Sequence, residues 1–381
     1  MNRVNNENTG SMNGEPSLIQ ELGIDPRILD DKKEHTTKKI EYVRSYVEKW
    51  LYVWVNNPDI KTITFIDAMT NAGIYLDGEL GTATEVCKLF IEFAKQHRDI
   101  KFCLFINDCD EARVKACLDV CDYLATDDCP NVHLIYASMD VNDFLEDAAT
   151  SGKIPRGYGN AVLLFVDPYN ARTVHLDAMV QFIKAHYCEV LFNWFSSDLN
   201  RNKNDQAIYD CFDGLVVPEG GNATKAVADA LRVGDIRYVF SYPFRIVSNV
   251  ELYQIIFLTP SDKGLEKLKD ALWDVFKGAE NHRNKGKLRV QQSLFDFDEF
   301  EDVRADLYAP DAQELLFEEF QGQEHVKYDT ISAFLLERTM LRKAHFNRHV
   351  LQPLIDEGKL VKETKVRRNA YSTTTYAFLL P

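Results

Sequence analysis

The chain has 381 residues, of which 45% are hydrophobic and 27% charged, and its formal net charge is −15. That size suits one large domain plus one small one, and the charge argues against a protein coated in nucleic-acid-binding surface, although a local basic patch is still allowed. No apolar run reaches the roughly 18 residues of a membrane span, and the N-terminus lacks the apolar core of a secretory signal. The eight Cys form no Cys-x-x-Cys pair. The expectation is a reduced, cytoplasmic protein with no membrane contact and no metal site.

Residues 1–16 are polar and Gly/Asn-rich, and disorder is expected there. An amphipathic helix is predicted over 35–51. Then β-branched and apolar runs alternate with helical periods. Strands are predicted over 61–67, 101–108, 132–137, 161–167 and 189–194, and helices over 82–97, 110–125, 140–149 and 174–187. Such alternation implies a parallel sheet covered on both faces. Residues 198–234 read as helical and polar. Two runs, 238–247 and 251–258, are joined by only Ser248-Asn249-Val250, which demands an antiparallel pair, and a helix follows over 262–278. Five parallel strands plus a terminal hairpin suggest the doubly wound, seven-stranded α/β sheet of class I methyltransferases, occupying 17–278.

Residues 279–311 pass from basic to strongly acidic and read as a linker. Within it, Gln291-Gln-Ser-Leu-Phe295 resembles the short peptide by which bacterial proteins dock on the replication sliding clamp. Residues 312–381 offer three helical stretches and two strand-like runs around a basic turn, the outline of a winged helix-turn-helix. Arg342, His345, Arg348 and His349 share one helix face beside Lys343, as a recognition helix requires. Lys365, Arg367 and Arg368 lie in the wing turn, where they would meet phosphates of DNA or RNA.

In an open parallel sheet, ligands bind beyond the carboxyl ends of the strands. Here those ends are polar. The first strand ends at Asp67 and runs into a loop of small residues in which Asn71 and Gly73 tolerate positive φ. The second ends at Asp108, placed to accept ribose hydroxyls. The fourth ends in Asp167-Pro168-Tyr169 and the fifth in Asn193-Trp194. An acid at one strand end is often only a turn former; several on one rim favour a nucleoside-containing cofactor. Neither the dinucleotide glycine fingerprint nor a P-loop is present. S-adenosylmethionine, which carries no phosphate, then fits best, with Asp67, Asn71, Gly73 and Asp108 lining it. Asp167 and Pro168 would present an oxygen to an exocyclic base amine, and Tyr169 would stack on the base.

These residues carry a resemblance. His35-Thr-Thr-Lys-Lys-Ile, Tyr46, the Asp67 loop with Tyr75 and Gly78, Gly81-Thr82-Ala83, Val166-Asp167-Pro168-Tyr169, Asn193 to Arg201 and Tyr253 to Trp273 are similar to the three-Cys-motif partner proteins of bacteria. The resemblance spans His35 to the C-terminus. It implies a methyltransferase-like fold, a C-terminal winged helix and a three-cysteine-motif protein as partner. Asn71 stands where the family's loop carries a glycine. The Asp-Pro-aromatic turn also resembles that of the tRNA guanine dimethyltransferases. Two functions are therefore expected as alternatives: a nucleic-acid methyltransferase, or an inactive methyltransferase fold that binds nucleic acid or recruits a three-cysteine enzyme, as in phage defence. A nuclease reading lacks the carboxylate pattern of a two-metal site.

Overall fold

The structure is a computed structural model, described over residues 17–125, 129–195, 223–245, 251–278, 297–363 and 374–380. Residues 1–16, the Ser248–Val250 link and the Gln291–Phe295 peptide lie outside those residues, as do Lys365, Arg367 and Arg368 of the wing and the larger part of 198–234.

Seven strands form one sheet in the order β3-β2-β1-β4-β5-β7-β6. β1 (Thr62–Asp67), β2 (Lys101–Asn107), β3 (Val132–Ala137), β4 (Asn160–Val166) and β5 (Cys188–Trp194) run parallel. β7 (Glu251–Thr259) is antiparallel to β5 and to β6 (Tyr238–Arg245). β1 lies at the centre and every one of its residues is buried, which explains its unbroken β-branched and apolar composition. Alternate side chains feed opposite cores. Ile63, Phe65, Phe102, Leu104 and Leu163 pack against the helices Glu34–Val55, Thr82–Gln96 and Asp262–Phe276. Ile66, Phe105, Val162 and Leu164 pack against Val141–Thr150 and Leu176–Ala185.

A segment ahead of the first long helix, not foreseen from the pattern, straps across the loop after β1. Ile19, Ile24 and Leu29 are buried against Ala72, Ile74, Ala116 and Val120, and the Leu76 N–H donates to the Asp30 carbonyl at 3.2 Å.

The C-terminal unit begins earlier than the sequence suggests. One helix, Phe297–Phe320, occupies much of the expected 279–311 linker and carries Pro310 inside it. The passage from basic to acidic residues is what reads as a linker there. Next come β8 (Val326–Lys327), the helix Tyr328–Arg338, a helical run made of Lys343–His345, the π-helical Phe346–Leu351 and Gln352–Asp356, then β9 (Leu360–Lys362) and β10 (Thr375–Phe378). The three short strands form an antiparallel sheet in the order β8-β10-β9. This unit is not a separate bead on a linker. The Trp273 Nε1–H donates to the Met340 carbonyl at 2.8 Å, the fully buried Lys269 donates to the Thr339 carbonyl, and one continuous apolar core runs through both units.

Candidate active site

The carboxyl edges of β1, β2, β4 and β5 bring together most of the residues expected there. Parallel register sets Asp67 beside Ile106 of β2 and Phe165 of β4, so the residues just beyond these strands share one rim. Asp67 is 1% exposed and accepts the Met69 N–H at 3.3 Å. Burial pushes its carboxyl up to about 8, and the nearby Asp167 adds to that shift.

Asp108, the expected ribose acceptor, is held by backbone donors. It is 4% exposed. One oxygen accepts the Asn71 N–H and the other the Asp110 N–H, both at 3.0 Å. Asp108 thus ties the β1 loop to the β2 loop. Asn71 does adopt positive φ (60°). Its side-chain amide donates to Asp30 of the strap at 2.6 Å. Gly73, with φ 69°, faces the protein interior, because a Cβ there would lie 2.6 Å from Cys117 Sγ and 2.9 Å from Thr84 Cγ2. Its glycine is required by close packing of the loop on the helix Glu111–Leu124.

Asp167 is engaged on both oxygens. Asn193 Nδ2–H donates to Oδ1 at 2.6 Å, and Lys39 Nζ donates to Oδ2. Pro168 turns the chain so that the half-exposed Tyr169 projects over the edge. There Arg113 Nη1–H donates to the Tyr169 hydroxyl at 2.7 Å, while Nη2 lies 3.4 Å from Asp30. Burial and neighbouring carboxylates, Asp108 foremost, push the Tyr169 phenol up to about 12. Tyr75 is held neutral in the same way, by burial and then by Asp167, Asp67 and Asp30.

Lys39, Arg113, Asp30 and Asn193 are therefore site residues to which sequence reasoning gave no role. Lys39 stood in the His35-Thr-Thr-Lys-Lys motif and Asn193 at a polar strand end, so both carried a signal. Arg113 and Asp30 carried none, since only the tertiary fold brings the strap across the edge.

The expected nucleic-acid face is placed elsewhere and is covered. His345 and His349 are buried. Arg342 and His345 Nε2 both meet Glu301, the latter at 2.7 Å. Arg348 meets Asp302 at 2.6 Å, His349 meets Asp306 at 2.7 Å, and Lys343 meets Glu266 at 3.4 Å. Two runs, one acidic and one basic, each visible in the sequence, pair with one another. Arg348 is the one member of this face left largely exposed (71%).

Among the described residues, no group of three or more His, Cys, Asp or Glu is placed to hold a metal ion. No described helix is long and apolar enough to cross a membrane.

No family profile matches the chain, and neither does any curated protein. Solved structures do match. The plantazolicin methyltransferase BpumL in complex with SAH shares 9% identity, with 64% of this chain and 94% of that one covered and a TM-score of 0.31. Loganic acid methyltransferase with SAH shares 10% identity, with 73% and 90% covered and a TM-score of 0.28. The fold is class I methyltransferase-like. Its strand order, with β7 inserted antiparallel between β5 and β6, carries that statement.

Proposed function

We propose that the protein is an S-adenosylmethionine-dependent methyltransferase whose reaction takes place at the carboxyl edge of β1, β2, β4 and β5. The observation that carries this reading is the charge of that edge. Among the described residues, the cations that meet Asp30, Asp67, Asp108 and Asp167 are Lys39 and Arg113. With Asp67 protonated, one carboxylate remains in excess; with Asp67 ionised, two remain. Such a mouth repels pyrophosphate and suits a cofactor bearing a sulfonium and an ammonium. When bound, that cofactor supplies a methyl group whose bond to sulfur breaks with the electron pair left on sulfur. The protein's part is positional. Asp67 offers a buried carboxyl whose negative charge develops as pH rises through about 8, the Asn71 loop is fixed by Asp108 and Asp30, and Asp167 and Tyr169 flank the acceptor. The decisive experiment is calorimetric titration of the full chain with S-adenosylmethionine, where saturable binding is expected.

Nucleic acid as the acceptor is the finer proposal. We read the C-terminal unit as a winged helix, supported by its order helix, strand, helix, helix, strand, strand. With Arg342, Lys343, His345, Arg348 and His349 acid-paired, phosphate contact falls to the wing residues Lys365, Arg367 and Arg368. Reversing those three charges should abolish any salt-dependent binding of RNA or DNA, while R348A should leave it nearly intact.

A second reading, an inactive fold acting beside a three-cysteine-motif enzyme, is favoured by one feature. The Asp30–Arg113–Tyr169 chain spans the mouth, and both Asp108 oxygens are committed to backbone. Absence of cofactor binding at millimolar concentration is the result this reading expects.

A further inference from the structure

The contact between Lys39 and Asp167 bears on what is methylated. Lys39 lies near the start of the helix Glu34–Val55, and its Nζ reaches across to the turn after β4 to meet Asp167. The two side chains are only 12% and 21% exposed, so the pair works in a medium less screening than water. Asn193 fixes the other Asp167 oxygen, and the Tyr75 phenol stands within the field of Asp167 and Asp67. An ammonium at this position discriminates between acceptors. A nitrogen acceptor gains positive charge as its bond to carbon forms, and a neighbouring ammonium opposes that. An oxygen acceptor that sheds its proton gains negative charge, which the ammonium stabilises.

We propose that Lys39 and Asp167 select a hydroxyl oxygen, rather than an amine, as the methyl acceptor. The inference rests on the methyltransferase reading above. The proton of the O–H group passes to the Asp167 carboxylate, and the oxygen, carrying the electron pair left by that proton, faces Lys39 and bonds to the methyl carbon. The co-reactant is the sulfonium cofactor, whose methyl–sulfur pair remains on sulfur as a neutral thioether. Asp167 then returns its proton to solvent. The amine expected from the Asp-Pro-Tyr sequence would gain positive charge beside the Lys39 ammonium, which opposes it.

The test uses a chromogenic hydroxyl, 4-nitrophenol, and reads absorbance rather than turnover. The full chain is first saturated with S-adenosylhomocysteine; failure at this step removes the underlying methyltransferase reading. The probe is then added at a pH one unit below its free pKa, where about a tenth is ionised. The phenolate band is expected to rise at least twofold on the loaded wild type. Lys39→Arg should keep the rise, Lys39→Met should lose it, and Asp167→Asn, which leaves Lys39 unneutralised, should enlarge it. Each variant is checked for S-adenosylhomocysteine binding, so that a misfolded protein is recognised. An unchanged band on the loaded wild type, or an equal rise in Lys39→Met, overturns the proposal while leaving the cofactor site intact.

Discussion

Two charged regions of this molecule look alike in sequence and differ in the folded chain. At the seam between the helices Phe297–Phe320 and Lys343–Asp356, acids meet basic or imidazole side chains one by one: Glu301 with Arg342 and His345, Asp302 with Arg348, Asp306 with His349. At the carboxyl edge of the sheet, carboxylates outnumber cations among the described residues, and one of them, Asp67, is buried with its carboxyl raised to about 8. Each of these seam acids has a side-chain partner. Among the described residues the edge keeps an excess of carboxylate, which a cationic ligand would offset. Uncompensated charge, more than charge density, separates a site from a structural contact.

The comparison can be broken at several points. The largest effect is expected at the seam's apolar anchor. Trp273 is 2% exposed, donates to Met340 and lies edge-on to His345 at 4.4 Å. Trp273→Ala should cost about 3–5 kcal/mol in chemical denaturation and should loosen the C-terminal unit from the sheet domain.

Next comes Asp67. Burial holds its folded pKa well above the ordinary aspartate value, so the folded protein binds a proton that the unfolded chain has released. Stability therefore falls as pH rises from about 4 to about 8 and levels off above that, by an amount on the order of a few kcal/mol. Asp67→Asn should flatten that slope in denaturation curves recorded across this range; an unchanged slope would mean that Asp67 is ionised in the free protein.

Gly73→Ala should cost about 1–3 kcal/mol, because the backbone is left-handed there and the added methyl meets Cys117. A Cys117→Ala partner change should recover the steric share only. The smallest effect is expected for Arg348→Ala. Its partner Asp302 is also partly exposed, and thermal melts should register about 0.5 kcal/mol or less. A larger loss would show the seam to be more than a set of screened pairs.

The sheet was readable because its signal is local. Buried strands such as Thr62–Asp67 are short apolar runs, and the terminal hairpin announced itself by its three-residue link. The rim was readable for the same reason, since strand ends fix Asp67, Asp108, Asp167 and Asn193 in space once the strands are known. What pairs with what was not readable. Asp108 looks free in sequence, yet two backbone N–H groups claim it. The basic face of the C-terminal unit looks available, yet a helix that resembled a linker covers it. Asp30 and Arg113 lie 83 residues apart, and only the strap brings them together. Pairing is a long-range property, and a single sequence lists the charges without matching them.

The most direct test of the central claim is a pair of titrations, with S-adenosylmethionine and with S-adenosylhomocysteine, at pH values below and above 8 in wild type and Asp67→Asn. The two ligands differ by the sulfonium charge. The account predicts that wild type binds both and that its preference for S-adenosylmethionine grows as Asp67 ionises, while Asp67→Asn shows no such growth. Binding of neither ligand, or a preference that ignores pH in wild type, would contradict the claim that the acidic edge is the cofactor site.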